Sequence, residues 1–134
     1  MSADYTYDYS IIRIVPRVER GEQINVGVIL SCVDSDFLEA RIELDADRLR
    51  ALDSSIDLDA LRDSLATIPV VCSGGPDAGP IGALPPRGRF RWLVSPRSTI
   101  IQTSPVHTGR CEEPADVLNH LLARMVRTPR PSGS

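Results

Sequence analysis

Residues 9–30, YSIIRIVPRVERGEQINVGVIL, hold two apolar, β-branched runs joined by a short charged connector, and this stretch decides the fold. Apolar residues occupy both phases of a period-two pattern in each run: Ile11, Ile12, Ile14 and Val15, then Val26, Val28, Ile29 and Leu30. Such a pattern is expected when both faces of a strand are at least partly covered. We therefore interpret the stretch as the central hairpin of the domain, with Pro16 ending its first strand.

The residues after this hairpin predict a third strand and two helices. Residues 37–44 alternate between apolar and mostly charged side chains, which is typical of a half-buried strand. The period then becomes helical, with Asp45 and Asp57 as N-caps and Pro69 ending or disturbing the second helix. Residues 73–88 hold five of the nine Gly and four of the eleven Pro, so no regular element is expected there and their order is left open.

A second hairpin and a last helix complete the prediction. Residues 89–94 are interpreted as a strand with Phe90 and Trp92 facing inward, and residues 99–104 as its partner. Residues 105–111 are interpreted as a loop, and Pro114 as the first turn of a helix. The fold class is α+β: an antiparallel sheet of about five strands, two hairpins plus one strand, with about three helices mainly on one face.

Length and composition indicate one cytoplasmic domain. The 134 residues suit a single domain, with an ordered core over 7–126, a flexible start at 1–6 and a flexible tail at 127–134. No apolar run approaches the roughly 18 residues that span a bilayer, and the first residues are acidic and polar, unlike a signal peptide. Cys32, Cys72 and Cys111 are widely spaced, so buried free thiols are expected and a metal site is not.

Charge is distributed unevenly along the chain. All fifteen basic residues are Arg, and the net charge is −3. Residues 78–111 carry five Arg and no acid, whereas residues 1–77 carry seven Arg against fifteen acids. The arginine-bearing segment from Arg87 to Arg110 therefore suggests an acidic partner surface.

Two stretches of the chain resemble a known bacterial family. These are residues 9–30, with the string INVGVIL, and residues 74–109, with the string RSTIIQTSP. The likeness to domain of unknown function 3037 covers roughly residues 7–126. The resemblance implies no established activity, substrate or catalytic residue, and so no residue role is transferred. It does imply a partner, because genes of this family are placed beside genes for proteins resembling the HipA toxin kinase.

A first candidate site lies on the sheet face away from the helices. Arg13, Asn25 and Arg41 are expected to share that face, where two guanidinium groups and an amide could bind a carboxylate or phosphate. The alternative is that Arg13 pairs across strands with Glu39 or Glu43 on a solvated face.

A second candidate site lies between residues 97 and 107. Arg97, Gln102, Ser104 and His107 are groups that can bind an oxyanion and move a proton. No strand-turn-helix elbow surrounds Ser104, so His107 is a weak catalytic candidate. The alternative is exposed polar groups on a strand followed by a loop histidine.

The function we predict is a non-catalytic interaction or regulatory module, whose partner is a HipA-like kinase or another acidic protein surface. The alternative is a small enzyme or sensor that binds a phosphorylated metabolite or nucleotide through an arginine cluster, although a protein without enzymatic activity is preferred. Nucleic-acid binding is disfavoured, because outward arginines would place Phe90 and Trp92 in the core. No cofactor, metal or membrane is expected, and a homo-oligomer is left open.

Overall fold

The structure is a computed structural model that describes residues 4–96 and 100–127. Its strands are β1 (Tyr5–Ile14), β2 (Ile24–Cys32), β3 (Phe37–Ile42), β4 (Ile101–Thr103) and β5 (His107–Cys111). Its α-helices are α1 (Ala46–Leu52), α2 (Leu58–Ser73), α3 (Pro86–Leu93) and α4 (Pro114–Met125). Arg97, most of the predicted flexible tail and residues 1–3 lie outside the described residues.

The five strands form one antiparallel sheet in the order β3-β2-β1-β4, and β5 also pairs with β1. β4 pairs with Ile12–Ile14 and β5 pairs with Tyr5–Tyr9, so the two segments follow each other along one side of β1. The edge beside β1 is thus one strand interrupted around Ser104. The register of β1 and β2 shifts after Ile12, which marks a β-bulge.

One face of the sheet packs against α1, α2 and α3. Ile12, Ile14 and Ile29 of the two central strands are fully buried there. The helices contribute apolar side chains at helical spacing: Leu49, Leu58, Leu61, Leu65, Ile68, Phe90 and Leu93. This cluster is the main core of the protein.

The opposite face packs against α4. Ile11, Val28 and Leu30 point to this side and contact Leu118 and the neighbouring leucines of the helix. Tyr5, Tyr7 and Tyr9 pack along the margin of the same cluster. The apolar residues in both phases of the central hairpin are explained by helices on both faces.

The predicted helix starts are confirmed. The Asp45 carboxylate accepts a hydrogen bond from the Arg48 backbone N–H, and the Asp57 carboxylate accepts one from Ala60, so both residues cap the first turn of their helices. Pro114 occupies the start of α4, where its missing N–H is not needed. Pro69 does not end α2, which continues to Ser73 because Val71 and Cys72 are buried in the main core.

The α+β class and the five-stranded antiparallel sheet are confirmed, and three local predictions are wrong. Residues 89–94, predicted as a strand, belong to α3, because Pro86 sets a helical first turn and Phe90 and Leu93 are buried three residues apart. Residues 107–111, predicted as a loop, form β5. The Gly- and Pro-rich segment contains 3-10 turns over Pro76–Ala83. There are four α-helices in the described part, three on one face and one on the other.

None of the helices that the structure describes is sufficiently long and apolar to cross a bilayer. β1 begins at Tyr5, two residues before the predicted start of order. At the other end, Arg127 belonged to the predicted tail, but its guanidinium donates two hydrogen bonds to the Glu43 carboxylate, at 2.8 and 2.6 Å.

Candidate functional site

A row of three polar residues crosses the sheet near the C-terminal end of α4. Arg13 of β1 lies opposite Asn25 of β2 on one side and opposite Gln102 of β4 on the other. Directly opposed residues point to the same face of a sheet, so the three side chains share the α4 face. The Arg13 side chain is half-buried, and within residues 4–96 and 100–127 its Nε has no hydrogen-bond partner. The structure thus brings together three of the six residues of the predicted ligand sites.

Arg41 lies on the same face but belongs to a different group. It is opposite Val28 in the β2–β3 pairing, and its Nη1 donates to Asn119 Oδ1 of α4 at 2.6 Å. Its other Nη lies 3.7 Å from a carboxylate oxygen of Glu39. Arg41 therefore attaches α4 to β3 and does not join the row around Arg13.

Asn25 also contacts α4. Its amide donates to the Met125 carbonyl oxygen at 2.9 Å, and this carbonyl is one of the last four of the helix, which lack partners within the helix. The Asn25 amide, one of the three polar groups in the row, therefore already has a hydrogen-bond partner within the protein. The predicted cross-strand pairs of Arg13 with Glu39 or Glu43 do not form, because these acids face Arg41 and Arg127 instead.

Ser104 is buried between β4 and β5, the two segments that pair with the same side of β1. Its Oγ accepts the Ile11 N–H at 2.8 Å and lies 3.0 Å from the Pro105 carbonyl oxygen, while the Ser10 hydroxyl donates to the Ser104 carbonyl at 2.7 Å. The hydroxyl therefore replaces a ladder hydrogen bond at the break. It is 3% exposed, which leaves little access for a substrate.

His107 lies on β5, with its ring 5.3 Å from the ring of Tyr9. Tyr9 and Arg13 are four residues apart along β1, which corresponds to roughly 13 Å in a strand. His107 is therefore separated from the row around Arg13. In the described contacts, its imidazole interacts with Tyr9 and not with Ser104.

Most described arginines of the arginine-bearing segment from Arg87 to Arg110 interact with other residues of the same chain. Arg87 donates to the Asp8 carboxylate at 2.6 Å and lies 5.3 Å from the centre of the Phe90 ring. Arg89 donates to the carbonyl oxygens of Leu84 and Cys72, and Arg110 forms an ion pair with Asp4 at 3.1 Å. Among the described arginines of this segment, Arg91 alone has neither a side-chain hydrogen bond nor an ion pair.

A groove between α2 and α3 was not predicted from the sequence. It has a volume of about 520 Å³ and is lined mainly by apolar side chains, with Trp92 on one wall and Val70 on the other. Trp92 is 39% exposed and Val70 is 38% exposed, although both are large apolar residues. The strand interpretation of residues 89–94 placed Trp92 in the core; a helical reading from Pro86 would have placed it outside.

A second, open cleft of about 490 Å³ lies between the start of α1 and the end of α4. Its lining includes the Glu43–Arg127 pair, and the hydrogen bonds from Arg127 lower the pKa of Glu43. In the ranges 4–96 and 100–127, no group of three or more His, Cys, Asp and Glu side chains could hold a metal ion. Burial raises the pKa of the Cys72 thiol to about 12, so this cysteine is protonated at neutral pH.

No curated protein matches the chain, and no solved structure matches it. A family model described as "Protein of unknown function (DUF3037)" matches residues 9–126, which include the second half of β1, all of β2, the groove and α4. The chain therefore belongs to this family of proteins of unknown function.

Proposed function

We propose that the protein is a non-catalytic interaction module that regulates a protein partner. The observation that carries this proposal is the outer face of α3, where Arg91 and Trp92 are adjacent and exposed. Trp and Arg are the residue types most enriched among the side chains that dominate binding energy at protein interfaces.

Of the described arginines between Arg87 and Arg110, Arg91 is the one that we propose contacts an acidic partner surface. Arg87, Arg89 and Arg110 are used internally, so Arg91 is the described cation of this segment that can pair with an acidic group of a partner. We then expect Trp92 to contribute most of the binding free energy, and Arg91 to orient the partner and to raise the association rate.

The partner we propose is a HipA-like kinase, since the family resemblance implies that such kinases are encoded next to members of this family. The test is isothermal titration calorimetry of the purified chain against the kinase encoded beside its own gene. Trp92→Ala is expected to weaken binding about tenfold or more, and Arg91→Ala by a smaller factor.

Met125→Ala is the matched control, because Met125 is also 39% exposed and lies on α4, on the other side of the sheet. This variant is expected to bind like the unmodified protein. No binding at micromolar concentrations, or equal loss in the Trp92 and Met125 variants, would contradict the proposal.

A second candidate function is the binding of a small phosphate-bearing ligand at Arg13. It is favoured by the half-buried guanidinium, whose Nε has no hydrogen-bond partner among the residues that the structure describes. Inorganic phosphate, nucleotides and sugar phosphates can be screened by thermal shift, since a ligand at 100 times its Kd stabilises the native state by about 2.7 kcal/mol. The shift should disappear in Arg13→Gln and persist in His107→Asn; no shift with any of these compounds would exclude this function.

A further inference from the structure

The groove between α2 and α3 has an apolar floor. Its lining includes Ala66, Val70 and Val71 of α2, with Trp92 of α3 and Ala78 of the 3-10 segment closing it. A volume of about 520 Å³ lies within the usual size of small-ligand pockets and is enough for one or two large side chains. The groove therefore has room for the apolar side chains of a short protein segment.

Both charged residues among the described residues of the lining are acidic. Asp63 of α2 and Asp77 of the 3-10 segment line the groove, and both are exposed. Neither carboxylate has an ion pair in the part of the chain that the structure describes. Arg62, the basic residue next to Asp63 in sequence, lies 3.9 Å from Asp59 instead. Two unpaired carboxylates beside an apolar surface favour a ligand with positive charges next to an apolar side chain.

We infer that this groove binds a short segment of a protein partner in which a large apolar side chain is flanked by Arg or Lys. The apolar side chain would pack between Trp92 and Val70, and the basic side chains would pair with Asp63 and Asp77. This inference rests on the proposed function, because it specifies which part of a protein partner the module recognises. The partner would then present two features to this module: an acidic group that pairs with Arg91, and a basic segment that occupies the groove.

Trp92 allows a direct test, since it is the only Trp of the chain and lies in the groove wall. Its fluorescence can be followed during titration with three synthetic peptides that lack Trp. All three carry the same two leucines, flanked by two Arg, two Gln or two Glu. The Arg peptide is expected to shift the emission to shorter wavelength and to bind about tenfold more tightly than the Gln peptide, by the usual strength of two exposed ion pairs. The Glu peptide should bind most weakly.

The double variant Asp63→Asn/Asp77→Asn should remove the preference for the Arg peptide while leaving binding of the Gln peptide unchanged. The matched control is Asp34→Asn/Asp116→Asn, which removes two exposed acids away from the groove and should keep the preference. Absence of binding by all three peptides, equal affinities, or a preference that survives in the double variant would overturn the inference. Emission that changes with protein concentration alone would show that a second copy occupies the groove, and would also overturn it.

The kinase titration separates this inference from the proposed function. If the kinase binds the double Asn variant as tightly as the unmodified protein, the groove inference fails and the interaction module stands. If the Arg peptide binds as expected but the kinase does not, the proposed partner is wrong and the groove inference stands.

Discussion

The two faces of the sheet are covered in different ways. The face under α1, α2 and α3 is closed by three helices and consists almost entirely of apolar side chains at its centre. The face under α4 is closed by one helix, whose leucines contact Ile11, Val28 and Leu30. Around that small apolar contact, polar side chains attach the helix: Asn25 to Met125, Arg41 to Asn119, and Glu43 to Arg127 just beyond its end.

This difference shows how a two-sided sheet can be covered with few helices. Burial of apolar area stabilises the three-helix side at about 25 cal/mol per Å², without requirements on orientation. A single helix covers less area, so its position depends more on directed hydrogen bonds, each of which contributes about 0.5–1.5 kcal/mol. We therefore expect α4 to be the part of the molecule that separates most easily from the sheet.

The largest expected effects come from a pair of matched leucines. Leu65 is 2% exposed on the three-helix side, and Leu118 is completely buried under α4. Each change to Ala is expected to reduce the free energy of unfolding by about 2–5 kcal/mol. Leu65→Ala should lie nearer the upper limit, because a single helix can shift to fill the cavity more easily than three packed helices can. Urea denaturation measures both values, and the reverse order would contradict the comparison.

Ser104→Ala tests the interrupted edge strand. The change leaves the buried Ile11 N–H without its acceptor, and an unsatisfied buried group costs about 1–3 kcal/mol. Thermal unfolding should show the loss. Ser95→Ala is the control: Ser95 is exposed, and among the described residues its hydroxyl donates only to the Arg91 carbonyl oxygen of α3, so a change within about 0.5 kcal/mol is expected. Equal effects of the two variants would show that the Ser104 hydroxyl is not needed at the break.

Asn25→Ala tests the polar attachment of α4. Loss of the bond to the Met125 carbonyl is expected to cost about 0.5–1.5 kcal/mol. Hydrogen exchange should show faster opening of the last turn of α4 while the amides of α2 stay protected. The exposed neighbour Gln23, changed to Ala, should leave both helices unaffected. Uniform loss of protection in α2 and α4 would mean that the two faces unfold as one unit.

The Glu43–Arg127 pair predicts a small pH dependence. Arg127 lowers the pKa of Glu43 in the folded state, so the pair stabilises the protein above the unfolded pKa of about 4.3 and loses this effect as the pH falls through the lower folded pKa. Both side chains are well exposed, and solvent screening reduces the effect. Glu43→Gln should lower the Tm by about 2 °C or less at pH 7 and not at all near pH 2. An equal difference at both pH values would contradict this assignment.

Much of the fold could be predicted because the central hairpin and the helix starts depend on local chemistry. Apolar residues in both phases identified the central strands, and Asp45, Asp57 and Pro114 marked the helix starts that the structure confirms. Residues 89–94 were misassigned because RFRWLV alternates like a strand. Pro86 at the first turn is the local signal for the helix, and the burial of Phe90 together with Leu93 and the exposure of Trp92 agree with it.

Less of the candidate site could be predicted. The shared face of Arg13, Asn25 and Arg41 followed from strand phase and is seen in the structure. The pairing of Arg13 with Gln102 depends on the register of β4, which no local signal sets. The groove was missed for a similar reason: Asp63, Val70 and Trp92 are distant in sequence and meet only when α2 packs beside α3.

The interruption of the edge strand at Ser104 has a consequence for solubility. An incoming strand needs a continuous row of free N–H and C=O groups to add itself to a sheet. In the part of the chain that the structure describes, the edge beside β1 consists of segments of three and five residues, separated by residues 104–106, which include Pro105 with no N–H to donate. We therefore expect that a misfolded or neighbouring chain finds no long template here and that the break disfavours aggregation through this edge.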